Sequence, residues 1–221
     1  DVRFNRLEPS FPCSSGNLVR NGESNLGRLG FTDTYQADYI LVQRMNITYR
    51  DVDFGSKEDC KLLARWYNNP EVKHLYSLFT DAESFSKDFT PEYFQRVGQN
   101  PPAGGPYRNL MALVDGVPIG QATFETDTPK LLTKTTHTAW LALMIGDDRL
   151  RRCGLGTRIT AHLEALAADT GAERIEIGVF EYNERALNFF TSLGYNEFER
   201  RLRRVWWDGQ MWSEIRLLKT L

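Results

Sequence analysis

Cysteine and histidine are scarce, with three of each in 221 residues. Cys13, Cys60 and Cys153 lie far apart and form neither a disulfide framework nor a Cys-x-x-Cys pair, which fits a reducing compartment and predicts a cytoplasmic address. With no second His or Cys at ligand spacing, no metal site is expected. Net charge is also small: 27 Lys and Arg against 29 Asp and Glu leave −2. No global field therefore recruits nucleic acid or an anionic membrane, and any anion site must be a local arrangement. No apolar run reaches the length of a membrane span, and the opening DVRFNRLEPSFPCSSG lacks the apolar centre of a signal peptide. Asn46-Ile47-Thr48 matches a glycosylation sequon, which is read as chance beside that missing export signal. There is no internal repeat.

What is present suits one globular domain with an appendage: 41% hydrophobic and 12% aromatic residues supply a full-sized core. Residues 1–36, rich in Gly, Asn, Ser and Arg with weak periodicity, read as an irregular N-terminal extension, and 37–221 as the folded domain. In that domain ADYILVQRMNITYRDV is strand-like. GSKEDCKLLARWYNNP is a helix with Ser56 and Asp59 as an acidic capping box and Asn69-Pro70 as its stop. FTPEYFQRV starts a second helix, with Thr90 as cap, Pro91 in the first turn and Gly98 closing it. NLMALVDGVPIGQATFETD is a hairpin turning at Asp115-Gly116. HTAWLALMIG is a strand, followed by a helix with Ile159, Leu163 and Leu166 on one face and Gly171 at its end. RIEIGVF is a buried strand, Asn183 caps the helix ERALNFFTSL, and the tail is a hairpin turning at Asp208-Gly209. Strands alternate with helices while several neighbours are hairpins, so the expected fold is α/β: a mixed, mostly antiparallel sheet with helices on both faces. The run ERRLRRVWW reads as a strand with solvated arginines, so nucleic acid is not the expected ligand.

The segment IGDDRLRRCGLGTRI concentrates arginine and glycine between a strand and a helix. Unpaired N–H groups of the helix start face that turn, Gly154 and Gly156 let backbone approach a ligand closely, and the helix dipole favours negative charge, so a phosphate is the natural guest. A P-loop needs Gly-Lys-Ser/Thr, which occurs nowhere, and a dinucleotide fingerprint needs a third glycine where this chain has Ile159. What remains is Arg151-Arg152-Cys153-Gly154-Leu155-Gly156.

This Arg-x-x-Gly-x-Gly pattern resembles the pyrophosphate signature of the GNAT acyltransferases. NERALNFFTSLGY, Asn183 to Tyr195, is similar to the Asn-x-x-Ala, aromatic, Leu-Gly-aromatic helix that flanks the thiol end of coenzyme A in that family. ITYRDVDFGSKEDCKLLARWYNNPEV resembles the entry of the branch with ribosomal-protein, spermidine and aminoglycoside acetyltransferases. The resemblance covers about Ile47 to Leu221. It implies a sheet splayed at its centre, between Thr138–Ile145 and Arg174–Phe180, with acetyl-CoA as cosubstrate. N–H groups of Arg152, Cys153, Gly154, Leu155, Gly156 and Thr157 would hold the pyrophosphate, with Arg151, Arg152 and Arg158 supplying charge. Leu143, Met144 and Ile145 would line the pantetheine arm, one N–H of Leu143 or Met144 would polarise the thioester carbonyl, and Asn183 and Phe190 would flank the arm. Of the adjacent Phe189 and Phe190, helical spacing allows one to face the cofactor.

Acyl transfer to an alkylammonium needs a proton sink. Glu125, carried by its strand toward the acceptor cleft, is the expected base, with Asp127 and His137 behind it. Many relatives place a Tyr where this chain has Phe190, which cannot donate a proton; Tyr182 and Tyr195 are near in sequence, and a thiol is acidic enough to leave as the anion. The expected reaction is transfer of acetyl from acetyl-CoA to a primary amine, small or peptidic, by direct attack in a ternary complex. Alternatives are a non-catalytic acyl-CoA sensor, prompted by Phe190, and a transferase of another acyl group, prompted by Trp140 where relatives often have an acidic residue. Acceptor choice is expected to reside in 77–105 and the C-terminal hairpin, and the first 36 residues offer a route to a homodimer by exchange.

Overall fold

The computed structural model describes residues 45–147 and 150–221; the N-terminal extension lies outside them. Seven strands form one sheet in the order β1-β2-β3-β4-β5-β7-β6. They are β1 (Ile47–Asp51), β2 (Tyr107–Val114), β3 (Val117–Thr126), β4 (Thr138–Ile145), β5 (Arg174–Phe180), β6 (Asn196–Trp207) and β7 (Gln210–Thr220). Every pairing is antiparallel except β4 with β5. The helices are α1 (Lys57–Tyr67), α2 (Pro70–Tyr76), α3 (Ala82–Ser86), α4 (Pro91–Gln99), α5 (Leu155–Asp169) and α6 (Glu184–Ser192). This is the open mixed sheet expected from the sequence.

The local signals behave as their chemistry requires. Both hairpins turn where both central residues reach positive φ: Asp115 and Gly116 at 49° and 80°, Asp208 and Gly209 at 48° and 79°. Ser56 caps α1 by accepting the Asp59 N–H, but the Asp59 carboxylate does not close the box; it takes both Arg50 guanidinium nitrogens at 2.6 and 2.7 Å and the Asp53 N–H. Asn69-Pro70 ends α1 and also begins α2, with Asn69 as cap and Pro70 in the first turn. The short α3 is held by a reciprocal capping box between Asp81 and Ser84, a signal within 77–105 that the reading of the sequence did not single out. Gly98 lies inside α4 and does not close it. A Cβ there would meet the Phe54 side chain at 2.2 Å, so this glycine serves close packing.

Strand alternation divides the sheet into two unlike faces. One carries Ala122 and Phe124 of β3, Ala139 and Leu141 of β4, Ile175, Ile177 and Val179 of β5, and Ile215 and Leu217 of β7. These pack with Leu155, Ile159 and Leu163 of α5, while Ala186, Leu187 and Phe190 of α6 join their edge. Each of the three fully buried α5 side chains stabilises the fold by about 1.5–3 kcal/mol. On the other face α1 and α4 cover the β1–β2 side and the end of β4, packing Leu63, Trp66 and Phe94 with Met111 of β2 and Met144 of β4. The same face of β3, β4, β5 and β7 instead presents Gln121, Thr123, Glu125, Trp140, Glu176, Gly178, Glu214 and Arg216. The sequence thus builds a helix-backed apolar face and a polar one.

Of the cysteines, Cys60 is a buried free thiol, and Cys153 is buried in the main core. Among the described residues no helix is long and apolar enough to cross a membrane.

Candidate active site

The central strands separate. β4 and β5 pair only at Thr138–Arg174, Ala139–Ile175 and Trp140–Glu176; beyond Trp140 the two strands have no mutual register, although β4 stays paired to β3 and β5 to β7 along their lengths. The orientation of β4 backbone groups follows from its ends. Thr138 O accepts from Asp127 N and Gly146 N donates to Ile119 O, so even-numbered residues face β3. His137 O accepts from Glu173 and Arg174 on the β5 side, and Ile145 O accepts from Arg151 Nε at 3.2 Å. Odd-numbered residues therefore face β5, and past the paired segment the polar backbone of Leu141, Leu143 and Ile145 opens into the gap. Met144 faces β3, so of the two N–H groups expected at the reaction centre only that of Leu143 is so directed.

One cavity of about 960 Å³ runs through this gap, from the glycine turn to the polar face. Arg151, Arg152, Gly154, Gly156 and Thr157 line its one end, Leu143, Met144, Ile145, Asn183 and Phe190 its middle, and Glu125, Lys130, Trp140 and Glu214 its far end. At the turn, Arg152 and Gly154 sit in left-handed backbone at φ 68° and 75°. Gly154 is the N-cap of α5 and supplies no side-chain cap, so the first-turn N–H groups of a 15-residue helix are open to an anion. Together with the open β4 edge, these residues fit a diphosphate followed by a slender amide-bearing arm.

Several expected residues fall elsewhere. Cys153 and Leu155 bury their side chains in the core, which leaves only backbone for a ligand. The Arg158 guanidinium donates to Met45 O at 3.0 Å. Asn183 caps α6 through the Ala186 N–H at 3.2 Å and lines the cavity as well. Phe189 and Phe190 both line it, against the expectation of one. Phe190 packs on the core edge, and Phe189 spans to α5, where a Cβ on Gly156 would lie 3.3 Å from its ring. That contact is a second use of Gly156. Asp127 is exposed and accepts from Thr138 N, and His137 is exposed 3.6 Å from Glu173; neither lines the cavity. Tyr182 donates to His74 O and Tyr195 to Glu164 Oε1 at 2.9 Å, so both hydroxyls are committed elsewhere.

Glu125 is 1% exposed. It lies opposite Trp140 in the sheet register, accepts from Thr128 Oγ1 at 2.9 Å and pairs with the Lys130 ammonium. Around it is a polar system that sequence reasoning did not single out. Tyr67 Oη donates to Gln121 Oε1 (3.0 Å), Gln121 Nε2 to Asn109 Oδ1 (2.7 Å) and Asn109 Nδ2 to Tyr107 Oη (3.0 Å), forming a wall of the cavity. Burial raises the pKa values of Tyr67 and Tyr107, so both stay protonated and able to donate at neutral pH. On the β5 side Arg216 Nη1 donates to Glu176 Oε1 at 2.7 Å and to Lys130 O at 3.1 Å, and its guanidinium lies 4.6 Å from the Trp140 ring centroid. Glu214 reaches into the gap over Gly178, where a Cβ would meet its Oε1 at 2.6 Å and the Trp140 ring at 2.9 Å. The signal for this cluster was the charged alternation on strands otherwise apolar, Glu176 in RIEIGVF and Glu214 and Arg216 in SEIRLL.

No match was found among curated proteins. The fold is shared with solved structures at low identity. A putative phosphinothricin N-acetyltransferase superposes with a TM-score of 0.61 at 18% identity, covering 80% of this chain and 99% of that one. An acetyltransferase of the GNAT family from Streptococcus pneumoniae gives 0.58 at 17%, covering 80% and 100%. A putative acetyltransferase from Salmonella typhimurium, solved with its cofactor acetyl-CoA, gives 0.58 at 17%, covering 80% and 94%. The family model described as acetyltransferase (GNAT) family matches residues 64–195. Since that match spans more than half of the chain and includes both the glycine turn and the gap, this protein belongs to the GNAT acetyltransferases and is an N-acetyltransferase using acetyl-CoA.

Proposed function

We propose that the protein transfers the acetyl group of acetyl-CoA to a primary amine by direct attack within a ternary complex. The observation that carries this reading is the single cavity joining the open N-terminus of α5, the unpaired edge of β4 and the buried carboxylate of Glu125. Backbone N–H groups from Arg152 to Thr157 bind the diphosphate, with Arg151 and Arg152 adding charge. Leu143, Met144 and Ile145 line the arm, and Asn183 and Phe190 flank it from α6. When bound, acetyl-CoA supplies an activated acyl carbon as a thioester. The Leu143 N–H, directed into the gap, donates to the carbonyl oxygen as charge develops there. The acceptor enters from the polar face between Trp140, Glu125 and the Tyr107–Gln121 wall, and Glu125 takes a proton from its ammonium. Tyr182 and Tyr195 are committed elsewhere, so this chain's tyrosines at those positions contribute no proton at the sulfur; a thiol of ordinary pKa, about 8.5, leaves as the anion.

The acceptor is a small or peptidic amine, and the entry segment Ile47 to Val72 favours the branch that contains ribosomal-protein, spermidine and aminoglycoside acetyltransferases. The test is free-thiol release from acetyl-CoA across a panel of alkyl diamines, aminoglycosides and peptides with free N-termini. Release with at least one class, lost in Glu125→Gln while coenzyme binding persists, is expected. Tight binding without release from any amine would sink the transfer mechanism and leave a binding role.

A further inference from the structure

The cavity contains an amine of its own. Lys130 is the one lysine among its described lining residues, and its ammonium sits on the carboxylate proposed to accept the acceptor's proton. The two partners differ sharply in burial: the Glu125 side chain is 2% exposed and that of Lys130 51%. The cation therefore reaches inward from solvent to a fixed buried anion, as an incoming ammonium would.

The backbone that carries Lys130 is anchored with unusual care. Glu176, fully buried on β5, accepts from Leu132 N and Thr133 N, both at 3.0 Å, and from Thr133 Oγ1 at 2.8 Å. Arg216, pairing with Glu176, also donates to Lys130 O. Thr128 O accepts from Leu131 N, closing a turn, while Thr128 Oγ1 holds the second oxygen of Glu125. A buried ion pair is weak as a stabilising device; here it clamps a connecting segment onto the polar face and aims one lysine at one carboxylate.

We propose that Lys130 is a resident acceptor: its ammonium occupies the amine subsite at Glu125, and its Nζ becomes acetylated when acetyl-CoA is bound and no other amine competes. The inference rests on the acyl-transfer reading and names the chemistry of its subsite, a primary alkylammonium held by one carboxylate. In the step, Nζ gives a proton to Glu125, and its lone pair forms the N–C bond to the acetyl carbonyl carbon. The C–S bond breaks with its electron pair on sulfur, and the second proton lost from the nitrogen passes to that thiolate, so the products are N-acetyl-Lys130, with one N–H left on its amide, and free thiol. Acetylation removes the charge that pairs with Glu125, leaving that carboxylate open to an external cation.

The test incubates the full chain with acetyl-CoA in the absence of amine, followed by intact-mass measurement and peptide mapping. One acetyl group per chain at Lys130 is expected, absent in Lys130→Arg and slowed about a hundredfold in Glu125→Gln, the lower range for loss of a general base. Lys130 reacting no faster than the exposed Lys61 or Lys134 would overturn the proposal. So would an unchanged mass in protein that calorimetry shows to bind acetyl-CoA, a result the acyl-transfer reading survives; failure to bind acetyl-CoA would remove both. Thermal melts without coenzyme check the placement separately. Lys130→Met lowers the midpoint and adding Glu125→Gln recovers part of the loss, whereas strictly additive losses would show that the two groups do not meet.

Discussion

Replacing Arg216 by Met probes the buried ionic cluster most directly. The Arg216 side chain is 4% exposed and that of Glu176 is fully buried. The substitution keeps an unbranched apolar stem but removes the donors to Glu176, Lys130 O and Glu214. Breaking a buried pair by deleting one partner costs about 3–5 kcal/mol because the other charge is stranded. In this cluster Glu176 keeps the Leu132 and Thr133 donors, and Glu214 keeps Arg201 at 3.3 Å. The expected loss is therefore at the low end, about 3 kcal/mol, with the remaining donors sharing the burden of two carboxylates. For a domain of this size that corresponds to a Tm lowered by about 6–12 °C. Thermal and urea unfolding followed by circular dichroism measure it. Glu176→Gln added to Arg216→Met removes the stranded charge, so the double variant loses less than the two single losses summed. A loss below about 1 kcal/mol, or strict additivity, would show that the pair is solvated and that its role as a clamp is mistaken.

Two further outcomes follow from the same geometry. Gly154→Val places a β-branched residue at φ 75°, costing about 1–2 kcal/mol locally; tilting the first turn of α5 is expected to weaken coenzyme A binding about tenfold by calorimetry, and unchanged affinity would argue against the turn as the diphosphate site. Burial lowers the pKa of His74, which stacks on Trp207 at 4.1 Å. The unfolded chain then binds the proton more readily, so this contribution to stability is complete above the ordinary value near 6.5 and fades as pH falls toward the lower folded value. His74→Phe should make stability fall less steeply between neutral and mildly acidic pH, and parallel curves would refute it.

Much of the fold is legible in the chain because its signals are local. Asp115-Gly116 and Asp208-Gly209 turn where φ must be positive, Ser56, Thr90 and Asn183 cap where helices begin, and apolar alternation on β3, β4, β5 and β7 marks the face that α5 covers. The glycine turn is equally local, since its meaning depends on a strand before it and a helix after it. Two of the misses, both at glycines, have the opposite property. Gly98 reads as a stop and Gly156 as a ligand approach, yet what a missing Cβ makes room for is decided by Phe54 and Phe189, which the chain brings up from elsewhere.

The sequence by itself determined the order of elements, the two faces of the sheet and the place of the anion turn, because each depends on residues within a few positions of one another. Tertiary structure alone decided that Leu143 and not Met144 opens into the gap, and that Glu176 and Arg216 together clamp the segment 130–133. Those outcomes depend on which strand edge stays unpaired and on side chains meeting across neighbouring strands. Such meetings are set by register and by competition for buried donors and acceptors, and no single stretch of sequence contains both partners.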